Sequence, residues 1–216
     1  MDYKVIKSRR RTISLEIRDS QIVVRAPLFL PRFAIAKFVQ DRSDWISKHL
    51  ARQLDKSTLG EDEIMIGGEP IRLEFSSGRD GVMLKEGKLI VSTVGSLKKL
   101  QILKLKHFLI RLTQEKVLNY LKTYQIDFET DFNFTVRIYK SKWGSCSHDD
   151  KLTFNGKLAM TDEKIIEYVV VHELCHTKEK NHSRGFWRLV ENILPDYKKR
   201  RKWLRDNHHL LDYENR

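Results

Sequence analysis

The stretch VVVHELCHTKEKNHSRGFW, residues 169–187, constrains the fold more than any other part of the chain. Residues four apart on an α-helix lie about 40° apart round the axis and roughly 6 Å apart along it. His172 and His176 have this spacing, so a helix lets both imidazoles bind one ion. Glu173 lies about 100° round from His172, where its carboxylate can reach a water on that ion without being a ligand. The valines at 169–171 are expected to bury the helix just before the histidines, which places the site at a boundary of the core.

A third histidine, His182, follows in a predicted turn, where the chain can double back to the same ion. Three histidines leave one position of a tetrahedral Zn²⁺ site for water, which is typical of a catalytic site. We therefore predict that His172, His176 and His182 bind zinc. The alternative is that they are ordinary surface or core histidines.

Glu173 is the predicted catalytic carboxylate. Zinc lowers the pKa of a bound water towards about 7, and a nearby carboxylate can accept its proton and later return it to a leaving amine. Tyr197, Arg184 and His208 are candidates for stabilising the oxyanion, although each can equally be a packing or surface residue. Hydrolysis by an activated water is the chemistry that this pattern indicates.

Two cysteines, Cys146 and Cys175, are too few for a disulfide framework and fit a reducing compartment. The first residues, MDYKVIKSRRR, lack the apolar segment of a secretory signal. No apolar run approaches the roughly 20 residues that a membrane span requires. We therefore expect a cytoplasmic protein without membrane association. Cys175 is expected in the core and Cys146 in a packing element, with metal ligation or nucleophilic attack as its alternative.

The formal net charge of +12 is open to two interpretations. It can reflect binding to nucleic acid, a nucleotide or another polyanion, or it can be a generally basic surface that keeps the protein soluble. The basic residues cluster near both ends of the chain, at 7–11 and at 198–202. The sequence leaves the oligomeric state open.

Period-two alternation of apolar residues predicts strands in the first part of the chain. Gly67-Gly68 and Glu86-Gly87 each separate two short apolar runs, and glycine supplies the positive φ angles of tight turns. A helical spacing from Pro31 to about Leu54, with a break near Asp41, interrupts this pattern. The predicted strand pairs are 13–17 with 22–24, 64–66 with 71–75, and 82–84 with 89–91. Residues 1–95 are therefore expected to form a β-rich N-terminal lobe with a helical insert.

From Leu97 the apolar spacing becomes that of a long amphipathic helix, which should end between residues 125 and 130. The capping and breaker residues after it place the remaining elements. These are strands at 134–138 and 152–158 and helices from Asp162 to about Lys178, from Ser183 through Ile193, and from Pro195 onward. The sequence therefore predicts an α+β fold, with residues 96–216 as a catalytic core of helices packed on a small sheet.

The histidine spacing is that of the metzincins, but their pattern has glycine three residues after the second histidine, where this chain has Glu179. A broader resemblance is to the YgjP-like metallopeptidase family, a gluzincin-like group related in its site to SprT-type peptidases. Four blocks carry it: RRRTISLEIR, VVRAP, SKWGSCS and IEYVVVHELCHTKEKNHSRGFWRLVENILPDYKKRRKWL.

This resemblance implies zinc ligation by His172, His176 and His182, and catalysis by Glu173. It also implies that strand 152–158 lies beside the active-site helix, as an edge strand that pairs with extended substrate. Trp143 resembles a packing residue of the family, and Gly144 is expected to allow a tight turn.

Three functions fit the sequence. The first is a zinc-dependent metallopeptidase that acts on peptides or proteins. The second is a metal-dependent nucleoside triphosphate (UTP) pyrophosphatase, an activity associated with the family, although the sequence has no phosphate-binding loop. The third is a nucleic-acid-associated protease whose basic ends bind DNA or RNA.

Overall fold

The computed structural model describes residues 2–18, 21–47, 59–95, 97–128 and 133–213. It has both helices and small mixed sheets, which confirms the predicted α+β class. The chain divides into two compact units, Met1–Thr58 (unit 1) and Leu59–Arg216 (unit 2). Among the described residues, no helix has the length and apolarity needed to cross a lipid bilayer.

Unit 1 is a three-stranded sheet with a helix. Its elements are β1 (Tyr3–Ser8), β2 (Ser14–Arg18), β3 (Gln21–Pro27) and α1 (Arg32–Gln40). The predicted hairpin is confirmed, since β2 and β3 pair antiparallel with Leu15 opposite Val24, while β1 adds in parallel on the other side of β3. The break near Asp41 is also found, and residues 43–47 are helical again. The predicted continuation from residue 48 to Leu54 lies outside the described residues.

Unit 2 begins with a four-stranded sheet in the order β4-β5-β7-β6. Its strands are β4 (Glu63–Ile66), β5 (Glu69–Ser77), β6 (Gly81–Lys85) and β7 (Lys88–Thr93). Both predicted hairpins form, and their turn residues have positive φ: 62° at Gly67, 89° at Gly68, 51° at Glu86 and 74° at Gly87. The two hairpins join through a parallel pairing of β5 with β7.

The rest of unit 2 contains the long helix α2 (Lys98–Phe128), a second sheet and three further helices. The sheet has the order β8-β10-β9. Its strands are β8 (Phe134–Arg137), β9 (Gly144–Cys146) and β10 (Leu152–Asn155). The three helices are α3 (Glu163–Lys178), α4 (Arg184–Ile193) and α5 (Tyr197–Asn207). At 31 residues, α2 is roughly 46 Å long, and it contacts both sheets and α3.

The predicted strand 152–158 is shorter than expected and is not at an edge. It ends at Asn155, and residues Gly156–Met160 form a 3₁₀ helix. The buried Asn155 side chain accepts the Lys157 N–H at 3.1 Å, so it caps that helix. The buried Thr113 hydroxyl donates to the Gly156 carbonyl at 2.8 Å and accepts the Ala159 N–H at 3.0 Å. Strand β10 lies in the centre of its sheet, between β8 and β9, so it is not an edge strand.

The turn between β4 and β5 attaches the four-stranded sheet of unit 2 to the segment before α3. Gly67 N–H donates to the Ala159 carbonyl at 2.9 Å, and Gly68 N–H donates to the Met160 carbonyl at 3.2 Å. A Cβ on Gly68 would lie 2.8 Å from the Cβ of Asp162, so this approach requires glycine. Residues of β4, β7, α2, the 3₁₀ helix and the C-terminal segment share one core: Ile64, Leu89, Leu105, Leu109, Met160, Leu211 and Tyr213. Strands β4–β7 therefore belong to unit 2, which begins at Leu59.

Candidate active site

Helix α3 carries the His-Glu-x-x-His motif, as the sequence predicts. Asp162 is its N-cap, because the side chain accepts the Ile165 N–H at 2.9 Å. The helix ends at Lys178, and Glu179 is extended, so the chain turns away there. Ser183 caps α4 by accepting the Phe186 N–H at 3.2 Å. His182, the residue before this cap, is thereby directed back towards α3.

The structure brings the three predicted metal ligands together. One potential ligand atom from each of His172, His176 and His182 lies within 4.8 Å of the others. Nε2 of His172 and Nε2 of His182 are 3.0 Å apart. Two nitrogen ligands of a tetrahedral zinc ion, each about 2.0–2.1 Å from it, lie roughly 3.3 Å apart. The donor set therefore fits a divalent metal ion.

Hydrogen bonding and burial hold the imidazoles in the form that binds metal. His176 Nδ1 is 3.0 Å from the Glu179 carbonyl, and an Nδ1–H that donates there leaves the Nε2 lone pair free for a metal. Burial, together with the neighbouring His176 and His182, lowers the pKa of His172 to about 3. Burial also lowers the pKa of His182. His172 and His182 are therefore neutral at neutral pH, as metal ligation requires.

Aromatic rings of α4, those of Phe186 and Trp187, support the histidines. His176 stacks on the fully buried Phe186, with ring centroids 4.4 Å apart and planes 26° apart. His182 stacks on Trp187 at 5.4 Å and 24°. Trp187 in turn stacks on Tyr197 at 5.3 Å and 14°. Tyr197 therefore supports a ring beneath the site.

Glu173 is the buried carboxylate of the site, with 5% of its surface exposed. Burial raises its pKa to about 8, and the charge of Lys142 opposes that rise. The side chain packs against the backbone of Gly144 in β9, where an added Cβ would lie 2.6 Å from Glu173 Oε1. The φ of Gly144 is not positive, so the expected tight turn is not the reason for glycine. The reason is the close approach of Glu173.

A cleft of about 330 Å³ opens in front of these groups. Its α3 wall is formed by Tyr168, Val169, His172 and Glu173, and the opposite walls are formed by Trp143, Gly144, Arg201, Leu204 and Arg205. The residues that line it include none of the predicted oxyanion donors. Tyr197 is buried behind Trp187, Arg184 is exposed at the start of α4, and His208 lines a neighbouring cleft.

Sequence reasoning missed Tyr168, Arg201 and Arg205. Tyr168 had a usable signal, because it precedes His172 by one helical turn and so shares its face. Arg201 and Arg205 are four apart on α5, but their sequence gives no sign that α5 faces α3.

Neither cysteine belongs to the cluster of metal ligands. Cys175 is fully buried, and burial raises its pKa to about 12, in agreement with the predicted core position. Cys146 lies in β9, with Sγ 3.9 Å from Lys180 Nζ, and burial raises its pKa. Both thiols are therefore protonated at neutral pH.

The α+β fold and the His-Glu-x-x-His helix, closed by a third histidine, define a metal-dependent hydrolase. Residues 11–207 match the YgjP-like family, metallopeptidase domain. The chain belongs to this family, and it is a hydrolase of the metallopeptidase type. A comparison with curated proteins gives no match.

Two solved structures are similar to part of the chain. The metallopeptidase zymogen of Methanocaldococcus jannaschii jannalysin is 22% identical, with a TM-score of 0.37, over 44% of this chain and 96% of that one. The metallopeptidase zymogen of Pyrococcus abyssi abylysin is 23% identical, with a TM-score of 0.37, over 41% of this chain and 93% of that one. Both likenesses cover less than half of this chain.

Proposed function

We propose that the protein is a zinc-dependent peptidase in which His172, His176 and His182 hold the metal and Glu173 is the general base. The observation that supports this most strongly is the grouping of three imidazoles, with ligand atoms within 4.8 Å of one another, on the helix that carries a carboxylate 5% exposed and on the turn after it. His172 and this carboxylate, Glu173, line the same cleft. A zinc ion held there would polarise the substrate carbonyl and lower the pKa of a bound water towards about 7.

The burial of Glu173 supports the proposal that it moves the proton. Its raised pKa, about 8, shows that the buried site alone favours the protonated acid. A nearby dication favours the carboxylate, so binding of the metal converts Glu173 into a base. The carboxylate accepts a proton from the attacking water and returns it to the leaving amine.

Strand β9 is the element that would align the peptide. The expected edge strand, β10, is paired on both sides and cannot add another strand. Within the described part of the chain, β9 pairs only with β10, which leaves its other edge open. Gly144 of β9 also touches Glu173. An extended substrate that pairs with β9 would therefore lie beside the strand that Glu173 contacts.

The cleft holds two groups that can donate a hydrogen bond to the developing oxyanion. Burial raises the pKa of Tyr168 to about 12, so its hydroxyl keeps its proton at neutral pH. The Arg201 guanidinium lies 4.6 Å above the Trp187 ring, a contact that helps to hold it in the lining of the cleft. Preorganised donors of this kind typically contribute about 10²–10³-fold to turnover.

The test compares the purified wild type with Glu173→Gln and His182→Ala by metal analysis and by turnover of a mixed peptide library. Glu173→Gln should retain zinc and lose turnover by about 10²–10⁴-fold, because it removes the general base. His182→Ala should bind zinc more weakly. Glu115→Gln, an exposed carboxylate on α2, is the matched control and should behave as wild type.

Unchanged peptide hydrolysis in Glu173→Gln would refute the assignment of the general base. Full zinc affinity in His182→Ala would refute the third ligand. Nucleoside triphosphates, including UTP, are assayed in parallel. Their hydrolysis by the wild type without any peptide cleavage would favour the pyrophosphatase alternative.

A further inference from the structure

A second cleft adjoins the active-site cleft in unit 2. Its volume is about 370 Å³, and it shares Trp143, Leu204 and Arg205 with the cleft that contains Glu173. We call this second cleft the basic trough. Because the two clefts share these walls, a molecule bound in the trough can continue to the metal ligands.

The charged groups that line the basic trough are all cationic or imidazole: Lys140, Lys142, Lys157, Arg205 and His208. Two carboxylates lie close by without lining it. Asp206 Oδ1 is 3.2 Å from Arg205 Nε, and Asp212 Oδ1 is 3.7 Å from Lys157 Nζ. Among the residues that line the two joined clefts, Glu173 is the only carboxylate. The surface leading to the site therefore favours an anionic occupant.

The floor of the trough is held by a buried side chain. Asn155, 2% exposed, donates from Nδ2 to the Tyr139 carbonyl at 2.9 Å and to the Lys142 carbonyl at 2.8 Å. These bonds hold the loop between β8 and β9, which carries Lys140 and Lys142. The backbone that carries these two lysines is therefore fixed before any ligand arrives, which reduces the entropy lost on binding.

We propose that the basic trough binds acidic side chains of a polypeptide substrate whose scissile bond lies beside Glu173. This inference rests on the proposed peptidase function and adds the class of substrate. Lysine and arginine bind carboxylates through charge-assisted hydrogen bonds, and Arg205 can bind one with two parallel bonds. A substrate with glutamate or aspartate on one side of the cleaved bond would occupy both clefts at once.

The geometry favours an acidic polypeptide over nucleic acid. Single-stranded nucleic acids bind through bases stacked on exposed aromatic rings, in addition to phosphate contacts. In the trough, Lys142 Nζ lies 4.4 Å above the Tyr139 ring, and Trp143 is half-buried in the core. Neither ring is therefore fully exposed for a base to stack on. The trough also adjoins the cleft that Gly144 lines, and Gly144 belongs to β9, the strand that we propose pairs with the peptide backbone.

The first experiment measures kcat/KM for two peptides that differ only in three glutamates or three glutamines next to the cleaved bond. At low ionic strength the wild type should cleave the acidic peptide about tenfold better, because several exposed cations act together. The preference should decrease at about 0.5 M salt, since the side chain of Arg205 is 71% exposed and its charge is screened.

The second part uses charge-removing variants. Arg205→Gln and Lys140→Gln should each lower the ratio of acidic to neutral kcat/KM by about threefold. Arg188→Gln is the control, because Arg188 is exposed on α4 and lines neither cleft. Its ratio should equal that of the wild type. If the wild type cleaves both peptides equally well, the trough assignment is wrong while the peptidase function stands.

A binding measurement separates this inference from the peptidase proposal. Fluorescence anisotropy of the labelled acidic peptide with Glu173→Gln protein reports binding without turnover. Binding that Arg205→Gln weakens supports the trough even when no peptide is cleaved. An oligonucleotide of equal charge that binds as tightly, and is weakened equally by Arg205→Gln, would overturn the proposal in favour of nucleic acid.

Discussion

Replacing Glu173 with glutamine should stabilise the metal-free protein at neutral pH. Glu173 is 5% exposed, and burial raises its pKa from 4.5 to about 8. A folded-state pKa above the unfolded value means that folding favours the protonated acid. The carboxyl group therefore carries no penalty below pH 4.5. Its penalty grows as the pH rises from 4.5 to about 8 and is constant above that.

The size of the effect follows from this pKa. Each pKa unit corresponds to about 1.4 kcal/mol. At pH 7 the unfolded carboxyl group has lost its proton while the folded one largely keeps it, so the penalty is on the order of 3 kcal/mol. Glutamine has nearly the shape of the protonated acid and does not ionise. The gain in the free energy of unfolding should therefore be near zero at pH 4.5 and about 3 kcal/mol at pH 7.

The assay is urea unfolding of the dialysed, metal-free wild type and Glu173→Gln at pH 4.5, 6, 7 and 8, followed by tryptophan fluorescence. Glu115→Gln is the control, because Glu115 is exposed on α2. Its difference from the wild type should not vary with pH. A difference for Glu173→Gln that is equally independent of pH would refute the argument from burial. Added zinc should reduce the gain, since a cation favours the carboxylate of the wild type.

Three other predictions follow from the site. Gly144→Ala should keep zinc but lower turnover by about 10²–10⁴-fold, because the added Cβ would lie 2.6 Å from Glu173 Oε1 and displace the base; normal kcat would contradict this. Ser183→Ala should lower the free energy of unfolding, measured with urea, by about 1 kcal/mol, because it removes the cap of α4. It should also weaken zinc binding, since the cap positions the preceding residue, His182, whereas Ser183→Thr should retain the cap. Zinc at 100 times its Kd should add about 2.7 kcal/mol to stability, with proton release in calorimetry at neutral pH because the metal converts the protonated Glu173 into a carboxylate.

The parts of the site that follow from local spacing could be predicted from the sequence. His172 and His176 share a helix face because of the helical repeat, and Asp162 and Ser183 cap the two helices by side-chain acceptance of a nearby N–H. The hairpins at Gly67-Gly68 and Glu86-Gly87 follow from backbone conformations that are common in glycine. These features depend on a few neighbouring residues, so the chain order is enough to infer them.

The features that were missed depend on contacts between distant parts of the chain. The role of Gly144 becomes visible only when β9 packs on Glu173, 29 residues later in the sequence. Strand β10 ends early because Thr113, on a helix far away in the sequence, satisfies the backbone of residues 156–159. The basic trough is formed by lysines after β8 and an arginine on α5. No periodic pattern in the sequence predicts these long-range contacts.

The attachment of the β4–β5 turn to Ala159 and Met160 determines which piece of the chain can stand as a module. A fragment that starts at residue 96 would lose the amides of Gly67 and Gly68 that hold the segment before Asp162. It would also expose the faces of Leu105 and Leu109, which share a core with Ile64 and Leu89. The smallest transferable unit that keeps the histidines in place therefore begins at residue 59. Any exchange of modules between related proteins must carry the β4–β7 sheet along with the catalytic helix.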